Sequence, residues 1–556
     1  MVASNRDLLD PPAERWNAQI SAVRRVASSV LAGPAAVPIV AVAFALAGIA
    51  LVLTDYTIND EGMLTYYWAS WLRRDFAPMF FFQKAKPIVC ALYAPISIAG
   101  AHATLIAHVL VAATAIPMLA AVARTLEFRL PNLPALVLAL SPLYFFGAAA
   151  GLSNVDGVAA IVLTLYILCA RRQPLVAGLV LGALPWVRFE LGVFCGVMAV
   201  YALTTREHRS LLITMAVFPL FYAVAGAVYH DDILWLTHFP PAAPFDPQNP
   251  LYVNNTQMLG FRHLLEPAAA LTPAAGLAAA LPFGRLRRIE RAVLVYGVLV
   301  ILLMNILPVL HFGNFGTSPR YMLHLLPVLA LLLGRALEPL WEEQRPHAVL
   351  FLVAAFICVW VATRQNDAQA TNILLVTYAL VWLLAWLRAG TLAAAGVAVL
   401  LVIGPFMPLR TDVGPPKYLD PMLDWLRANP ERQKEPIYTN AQLLAQYLKG
   451  RVSSGEVHYM LGTDMAYETK FLINSGNGQL ERLGELSAAE FYGKQLLPPY
   501  VPDNFPTNAL FVLRIDTHRL DDLLPPAVWS RRLEVLADTP YYKIARVIPA
   551  GTDPTS

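Results

Sequence analysis

The sequence predicts an all-α polytopic membrane bundle of about 13 transmembrane helices, closed by a small C-terminal α/β soluble domain. Three observations predict it. The chain is 57% hydrophobic and only 14% charged, with a mean hydropathy of +0.53. Its apolar residues come in runs about as long as a bilayer is thick, roughly 20 residues per helical span. After Pro408 the runs stop, charges become frequent and prolines cluster at 415–416, 498–499 and 525–526. Lipid admits only helices or closed barrels, and these runs lack the polar alternation of barrel strands.

Candidate spans fall near 34–53, 103–123, 132–150, 155–170, 174–187, 190–203, 210–229, 267–284, 291–310, 321–337, 347–363, 372–387 and 391–408. Three regions result: a cytoplasmic N-terminal segment over 1–33, a membrane domain over 34–408 with a long first loop over 54–102, and an extracytoplasmic domain over 409–556. The segment before Gly33 carries Arg6, Arg15, Arg24 and Arg25. It is too polar and too long for a signal peptide, so the first span is expected to stay as an anchor.

Charge sets the orientation. With the N-terminus in the cytoplasm, that side collects about 17 Lys and Arg, including Arg124, Arg171, Arg287 and Arg335. The opposite side collects about 8, including Lys84, Lys86, Arg188 and Arg320. An odd span count then places the C-terminal domain outside, over a face that also gathers Asp55, Asp60, Glu61, Asp156, His230, Asp231, His238, His311 and Arg320. Chemistry is therefore expected at the outer face.

Within 54–102, Tyr, Trp and Phe interleave with Arg73 and Arg74, the composition of helices lying in the membrane interface. The apolar stretch 88–99 is too short to span and reads as re-entrant or interfacial. Asp60 and Glu61 stand side by side. Like charges so close repel, which favours a shared cation or a shared proton; a solvated pair capping the next helix is the plainer alternative. Lys84 and Lys86 precede Pro87, which directs the residue before it to extended backbone. They read as a phosphate clamp or as snorkelling interfacial lysines. At the start of the 155–170 span, Asp156 reads equally as a functional carboxylate or, with Ser153 and Asn154, as a helix cap. Arg188 and Glu190 interrupt an apolar stretch. Two residues apart on a helix they would not face each other, so each is expected to find another partner. His230, Asp231, Asp232, His238 and Asp246 are metal-capable types without ligand spacing, and read as solvated loop residues.

The order Asp60-Glu61, a Tyr-rich helix with Tyr66 and Tyr67, then Lys86-Pro87, resembles the GT-C superfamily of membrane glycosyltransferases. The likeness is to its protein O-mannosyltransferase-like branch, which includes the lipid A aminoarabinose transferases. Ile88 stands where that branch has a second proline. Asp156 is in register with the family's second signature. Arg320-Tyr321, ahead of a proline-containing span, is similar to its late Arg-Tyr. The resemblance implies a bacterial inner membrane enzyme that moves a sugar from a polyprenyl-phosphate donor to a lipid, glycan or protein acceptor by inverting displacement. Asp60 would be the base, with Asp156 the other candidate and Glu61 orienting the site or binding a cation. Lys86 and Arg320, with Lys84, would hold the donor phosphate; Arg188, Glu190 and Tyr66 would support structure or substrate. The resemblance fixes no cofactor, and a divalent metal stays open.

Other classes fit less well. A net charge of +3 speaks against nucleic acid, and no Gly-rich nucleotide loop is present. Cys90, Cys169, Cys195 and Cys358 all fall in apolar runs, as buried free thiols do. A transporter or flippase is the alternative. It calls for ionisable residues near mid-membrane and broken helices in paired halves, whereas here the charges gather at one face. In the C-terminal region, 418–428 and 440–449 read as helices, and PIYTN, NALFVLRID and YYKIARVIP as strands.

Overall fold

The computed structural model describes residues 32–54, 60–74, 76–205, 208–238, 286–309, 323–341, 419–439, 444, 457–459, 508–514, 533–539 and 542–548. The expected spans over 267–284, 347–363, 372–387 and 391–408 lie outside the described residues, as do Asp55, Asp246, His311, Arg320 and nearly all of 440–449. Most described residues are helical. Among the described residues three helices are long and apolar enough to cross a membrane: Ala101–Thr125, Ser153–Ala170 and Ser210–His230. Shorter apolar helices stand at Ala36–Val52, Pro174–Trp186, Phe189–Thr204 and Leu323–Leu332. The chain is an integral membrane protein.

Helix α1 (Ala36–Val52) is apolar all round, and Ile39, Val42 and Leu46 stay exposed as a lipid-facing helix leaves them. Helix α2 (Asp60–Arg74) carries the acidic pair at its start and the aromatic run along its length. A one-turn 3-10 segment over Gln83–Ala85 leads to α3 (Pro87–Tyr93), which begins on proline, where the missing N–H costs nothing. Helix α4 (Ala101–Thr125) is the buried axis of the bundle, with α1 on one side.

The run read as one span over 132–150 is two helices, α5 (Leu133–Leu140) and α6 (Pro142–Ala149). Pro142 accounts for the break: it disfavours helical backbone at Ser141, which is extended at φ −68° and ψ 114°. Helix α7 (Ser153–Leu165) packs along α4 and ends in a single π-turn over Tyr166–Ala170.

Helix α8 (Pro174–Ala183) leads through a bend to α9 (Gly192–Thr204), then α10 (Ser210–Met215) and α11 (Val217–His230). Gly178 and Gly182, four apart, form a small-residue face on α8. A Cβ at Gly178 would lie 2.4 Å from the Leu211 carbonyl oxygen, and one at Gly182 would lie 2.2 Å from that of Met215. Without a hydrophobic drive inside lipid, helices associate through such close backbone contact. Helix α11 leaves Leu220, Val224 and Val228 uncovered.

Helices α12 (Arg288–Val309) and α13 (Leu326–Trp341) pack together and against α9 and α5. Arg335 pairs with Glu290 at 2.8 Å and donates to the Leu126 carbonyl at 2.6 Å, just past the end of α4. A guanidinium there offsets the negative end of the helix dipole. Arginines read as plain topology signals thus also tie helices together.

In the C-terminal part, α14 (Leu419–Ala428) buries Leu419, Met422, Leu423 and Leu426, one helical stripe. Strands β1 (Ile437–Thr439), β2 (Val457–Tyr459), β3 (Leu510–Arg514), β4 (Leu533–Asp538) and β5 (Tyr542–Val547) form one sheet in the order β2-β1-β3-β5-β4. β1 runs parallel to both neighbours, while β3–β5 and β5–β4 are antiparallel.

Candidate active site

Four elements far apart in sequence meet at one carboxylate. Glu61 Oε1, in the first turn of α2, accepts from Lys86 Nζ at 2.6 Å, Ser153 Oγ at 2.5 Å and an Arg188 terminal nitrogen at 3.1 Å. The three donors also touch one another through the hydroxyl. Lys86 Nζ lies 2.6 Å from Ser153 Oγ, and the same Arg188 nitrogen lies 2.7 Å from it. Serine has one proton to give and two lone pairs. It gives the proton to Glu61 and accepts from both cations.

Close packing makes this convergence possible. A Cβ on Gly62 would meet the Ala150 carbonyl oxygen at 2.0 Å, so only glycine lets α2 approach the turn before α7 this closely. Gly151, at φ +70°, answers it from the other side: a Cβ there would lie 3.1 Å from Gly62 Cα and 2.5 Å from Leu105. Glu61, just before Gly62 on α2, and Ser153, two residues after Gly151 at the start of α7, are thereby brought within hydrogen-bond range.

Lys86 departs from the sequence expectation. Its backbone is left-handed, at φ 57° and ψ 68°, not extended. It must end the 3-10 turn and start α3 in a single residue, and that sharp reversal needs positive φ. For a residue with a Cβ this costs on the order of 1–3 kcal/mol, a strain that persists only where the surroundings enforce it. The enforcing contacts are those of its ammonium group.

Arg188 and Glu190 also differ from expectation, since they pair with each other through Arg188 Nε. The helical spacing argument fails because Arg188 is extended (φ −155°, ψ 132°), ahead of a 3-10 turn over Phe189–Leu191. Both side chains are only 5% exposed, against 16% for Glu61 and 22% for Lys86. Glu190 fixes one edge of the guanidinium and leaves a terminal nitrogen aimed at Ser153 and Glu61. His324, in the turn just before α13, and Tyr296 on α12 stand within electrostatic reach of Glu190.

One helical turn along α7, Asp156 forms a second centre. Tyr93 donates its hydroxyl to Oδ1 at 2.5 Å, and His108 Nδ1 lies 3.2 Å from Oδ2. The two rings stack with centroids 3.9 Å apart. The N-cap position is Leu152, with no side-chain cap bond, so of the two readings of Asp156 the capping one is not what the structure displays. Ser153 likewise spends its hydroxyl on Glu61. Asn154 is fully buried, and neither side-chain atom has a hydrogen-bond partner among the described residues.

Of the residues singled out from sequence, Glu61, Lys86, Asp156, Arg188 and Glu190 come together. Asp60 lies on the same first turn of α2, but its side chain, like that of Lys84, is outside the described residues, as is the whole of Arg320. Tyr66 rests its ring against Tyr67 with centroids 5.1 Å apart. His230 stacks on Trp235 in an aromatic cluster with Phe81. The His238 side chain is outside the described residues. Among the described residues no group of three or more His, Cys, Asp or Glu is placed to hold a metal ion. Sequence reasoning missed Tyr93 and His108. His108 was visible as an ionisable residue inside an apolar span, a position that marks function by default.

Chemically, the first centre is an oxyanion cradle: two fixed cations and a hydroxyl around one oxygen position, in a mostly dry setting where charge counts for more than in water. No family model matches the chain, and no curated protein matches it. Among solved structures it is similar to ArnT from Cupriavidus metallidurans bound to undecaprenyl phosphate. That match has a TM-score of 0.50 and 14% identity, over 93% of this chain and 99% of the other. The same protein in the apo state matches with a TM-score of 0.49 and 14% identity, over 96% and 98%. The chain therefore shares the fold of that solved structure.

Proposed function

We propose that this protein is a glycosyltransferase that takes a sugar from a polyprenyl-phosphate-linked donor and passes it to a lipid, glycan or protein acceptor at the outer face of the membrane. One observation carries the reading: Lys86, Arg188 and Ser153 converge on a single oxygen position. A leaving phosphate needs fixed positive charge where its own charge develops, and preorganised donors supply it without reorganisation. The solved structure with the same fold is bound to undecaprenyl phosphate, which supports a polyprenyl phosphate as the ligand class.

In this reading Lys86 and Arg188 neutralise the leaving phosphate, joined by Arg320 and Lys84 from outside the described residues. Inverting displacement needs a base on the acceptor side. Asp60 is the stronger choice for it, because Asp156 has Tyr93 and His108 on its two oxygens and is only 4% exposed. A carboxylate so enclosed suits positioning better than reaching an acceptor hydroxyl. The soluble C-terminal region would sit over the same outer face as the site.

The test compares Asp60→Asn with Asp156→Asn in cells lacking the protein, with mass spectrometry of surface glycans and lipids as readout. Loss of general-base catalysis lowers transfer by about 10²–10⁴-fold, so Asp60→Asn should leave the product nearly absent while the protein still inserts. Near-normal glycan transfer by Asp60→Asn would overturn the assignment of the base. An unchanged glycan and lipid profile in the cells lacking the protein would overturn the function itself.

A further inference from the structure

Charge counting at the cradle raises a question that the transferase reading leaves open. Among the described residues, Lys86 and Arg188 face two carboxylates, Glu61 and Glu190. A phosphate oxygen bound by Lys86, Ser153 and Arg188 would need the position that Glu61 Oε1 already holds, and like charges sharing a site in a desolvated setting repel strongly. One carboxylate must leave before phosphate can bind. The geometry decides which. Glu190 is 5% exposed and holds Arg188 through Nε, on the edge turned away from Ser153. Glu61 is 16% exposed and occupies the point where ammonium, guanidinium and hydroxyl all meet.

We propose that Glu61 is an internal stand-in for the donor phosphate: its carboxylate fills the Lys86–Ser153–Arg188 cradle when the site is empty and is expelled when a polyprenyl-phosphate ligand binds. This rests on the transferase reading above and adds a regulated exchange to it. For the sugar-loaded donor the exchange balances in charge, since a phosphodiester carries one negative charge at neutral pH, as does the carboxylate it replaces; undecaprenyl phosphate, a monoester, carries about −1.5 to −2 and draws more strongly on the same cations. It also accounts for how two cations stay in a lipid-embedded bundle between turnovers without attracting stray anions. Ser153 becomes a ligand of the donor phosphate, switching its proton from Glu61 Oε1 to a phosphate oxygen.

The experiment measures binding of undecaprenyl phosphate to the full chain in nanodiscs, for wild type, Glu61→Gln, Ser153→Ala and Lys86→Ala, with inorganic phosphate as a parallel ligand. Removing the competing carboxylate should tighten lipid phosphate binding by about tenfold or more. Ser153→Ala should weaken it, and Lys86→Ala should weaken it further. Equal or weaker binding by Glu61→Gln, with Lys86→Ala still impaired, overturns the stand-in and leaves the donor reading intact. Binding indifferent to Lys86→Ala overturns both. Tightening seen for inorganic phosphate alone overturns the lipid as the displacing ligand. A measurement on the wild type guards against misfolding of the variant. Carbodiimide labelling of Glu61, read by mass spectrometry, should rise when undecaprenyl phosphate is added, and unchanged or reduced labelling overturns the exchange.

Discussion

Gly62→Ala is the sharpest test of how this site is built. The added Cβ would sit 2.0 Å from the Ala150 carbonyl oxygen and 3.0 Å from its carbon, with Leu105 Cδ2 at 3.3 Å. The leucine can turn aside; the backbone carbonyl cannot. Ordinary contact begins near 3.4 Å, so α2 must retreat by about 1.4 Å from the turn that leads to Ser153. Glu61 is the neighbouring residue, and its contacts of 2.5 Å to Ser153 and 2.6 Å to Lys86 have no such slack. Beyond about 3.2 Å a hydrogen bond of this kind weakens quickly. Overpacking of this sort costs about 1–3 kcal/mol, and a 1 Å displacement at a reacting centre costs on the order of 10²-fold in rate. Gly196→Ala is the control, because a Cβ there meets nothing within 4 Å on α9; it should be neutral or gain about 0.5–1 kcal/mol of helix stability. Apparent melting in detergent, together with sugar transfer, reads both. If Gly62→Ala melts and turns over like Gly196→Ala, the close approach of α2 and the Ala150 turn is refuted, and with it the geometry of the cradle.

Three further outcomes follow from single observations. Lys86→Gly should be more stable than Lys86→Ala by about 1 kcal/mol, since only glycine removes the cost of positive φ, and the reverse order in thermal melts would contradict the left-handed backbone at φ 57°. Gly178→Ala should destabilise the bundle by about 1–3 kcal/mol, because its Cβ would lie 2.1 Å from Thr214 Oγ1 and 2.4 Å from the Leu211 carbonyl; wild-type melting would show that α8 and α10 are not in backbone contact. Burial raises the Cys90 thiol to about 12, against a smaller opposing pull from Lys86. At pH 8 only about one molecule in 10⁴ then carries the reactive thiolate, so maleimide should label Cys90 in denatured protein and hardly at all in folded protein.

What could be read from sequence follows from what a one-dimensional pattern encodes. Apolar runs announce helices in lipid because every residue of a span contributes to the signal. Arg188, Glu190 and Asp156 were legible because charge in such runs is costly and so conspicuous, and Glu61 and Lys86 because Asp60-Glu61 and Lys86-Pro87 form a recognisable order in the first loop. Their partnerships were not. Local spacing rules assume regular backbone, and the site sits where backbone is irregular: at left-handed Lys86, at extended Arg188 and at the Gly151 turn. Ser153 read as a cap because serine at a helix start usually is one; only the tertiary approach of α2 gives its hydroxyl to Glu61. Tyr93 looked like an ordinary member of an apolar stretch, and although His108 stood out as an ionisable residue in its span, nothing local says that the two rings stack beside Asp156.

Stability alone does not explain these buried charges. Replacing a buried ion pair with well-packed apolar residues is often neutral or stabilising by about 1–4 kcal/mol, while removing one partner costs about 3–5 kcal/mol. The bundle around Arg188 and Glu190 is apolar, with Leu184, Val187 and Leu191 buried beside them, so hydrophobic residues would serve packing at least as well. A scaffold gains nothing from this pair. A transferase does, because Glu190 holds Arg188 in a fixed orientation while leaving its other edge to an anion. The strained Lys86 backbone and the Gly62–Gly151 contact point the same way: each is a local cost whose return appears only at the cradle. Three independent costs converging on one oxygen position are what a site built for an anion requires, and they make that position, more than any single carboxylate, the feature that mutagenesis should interrogate.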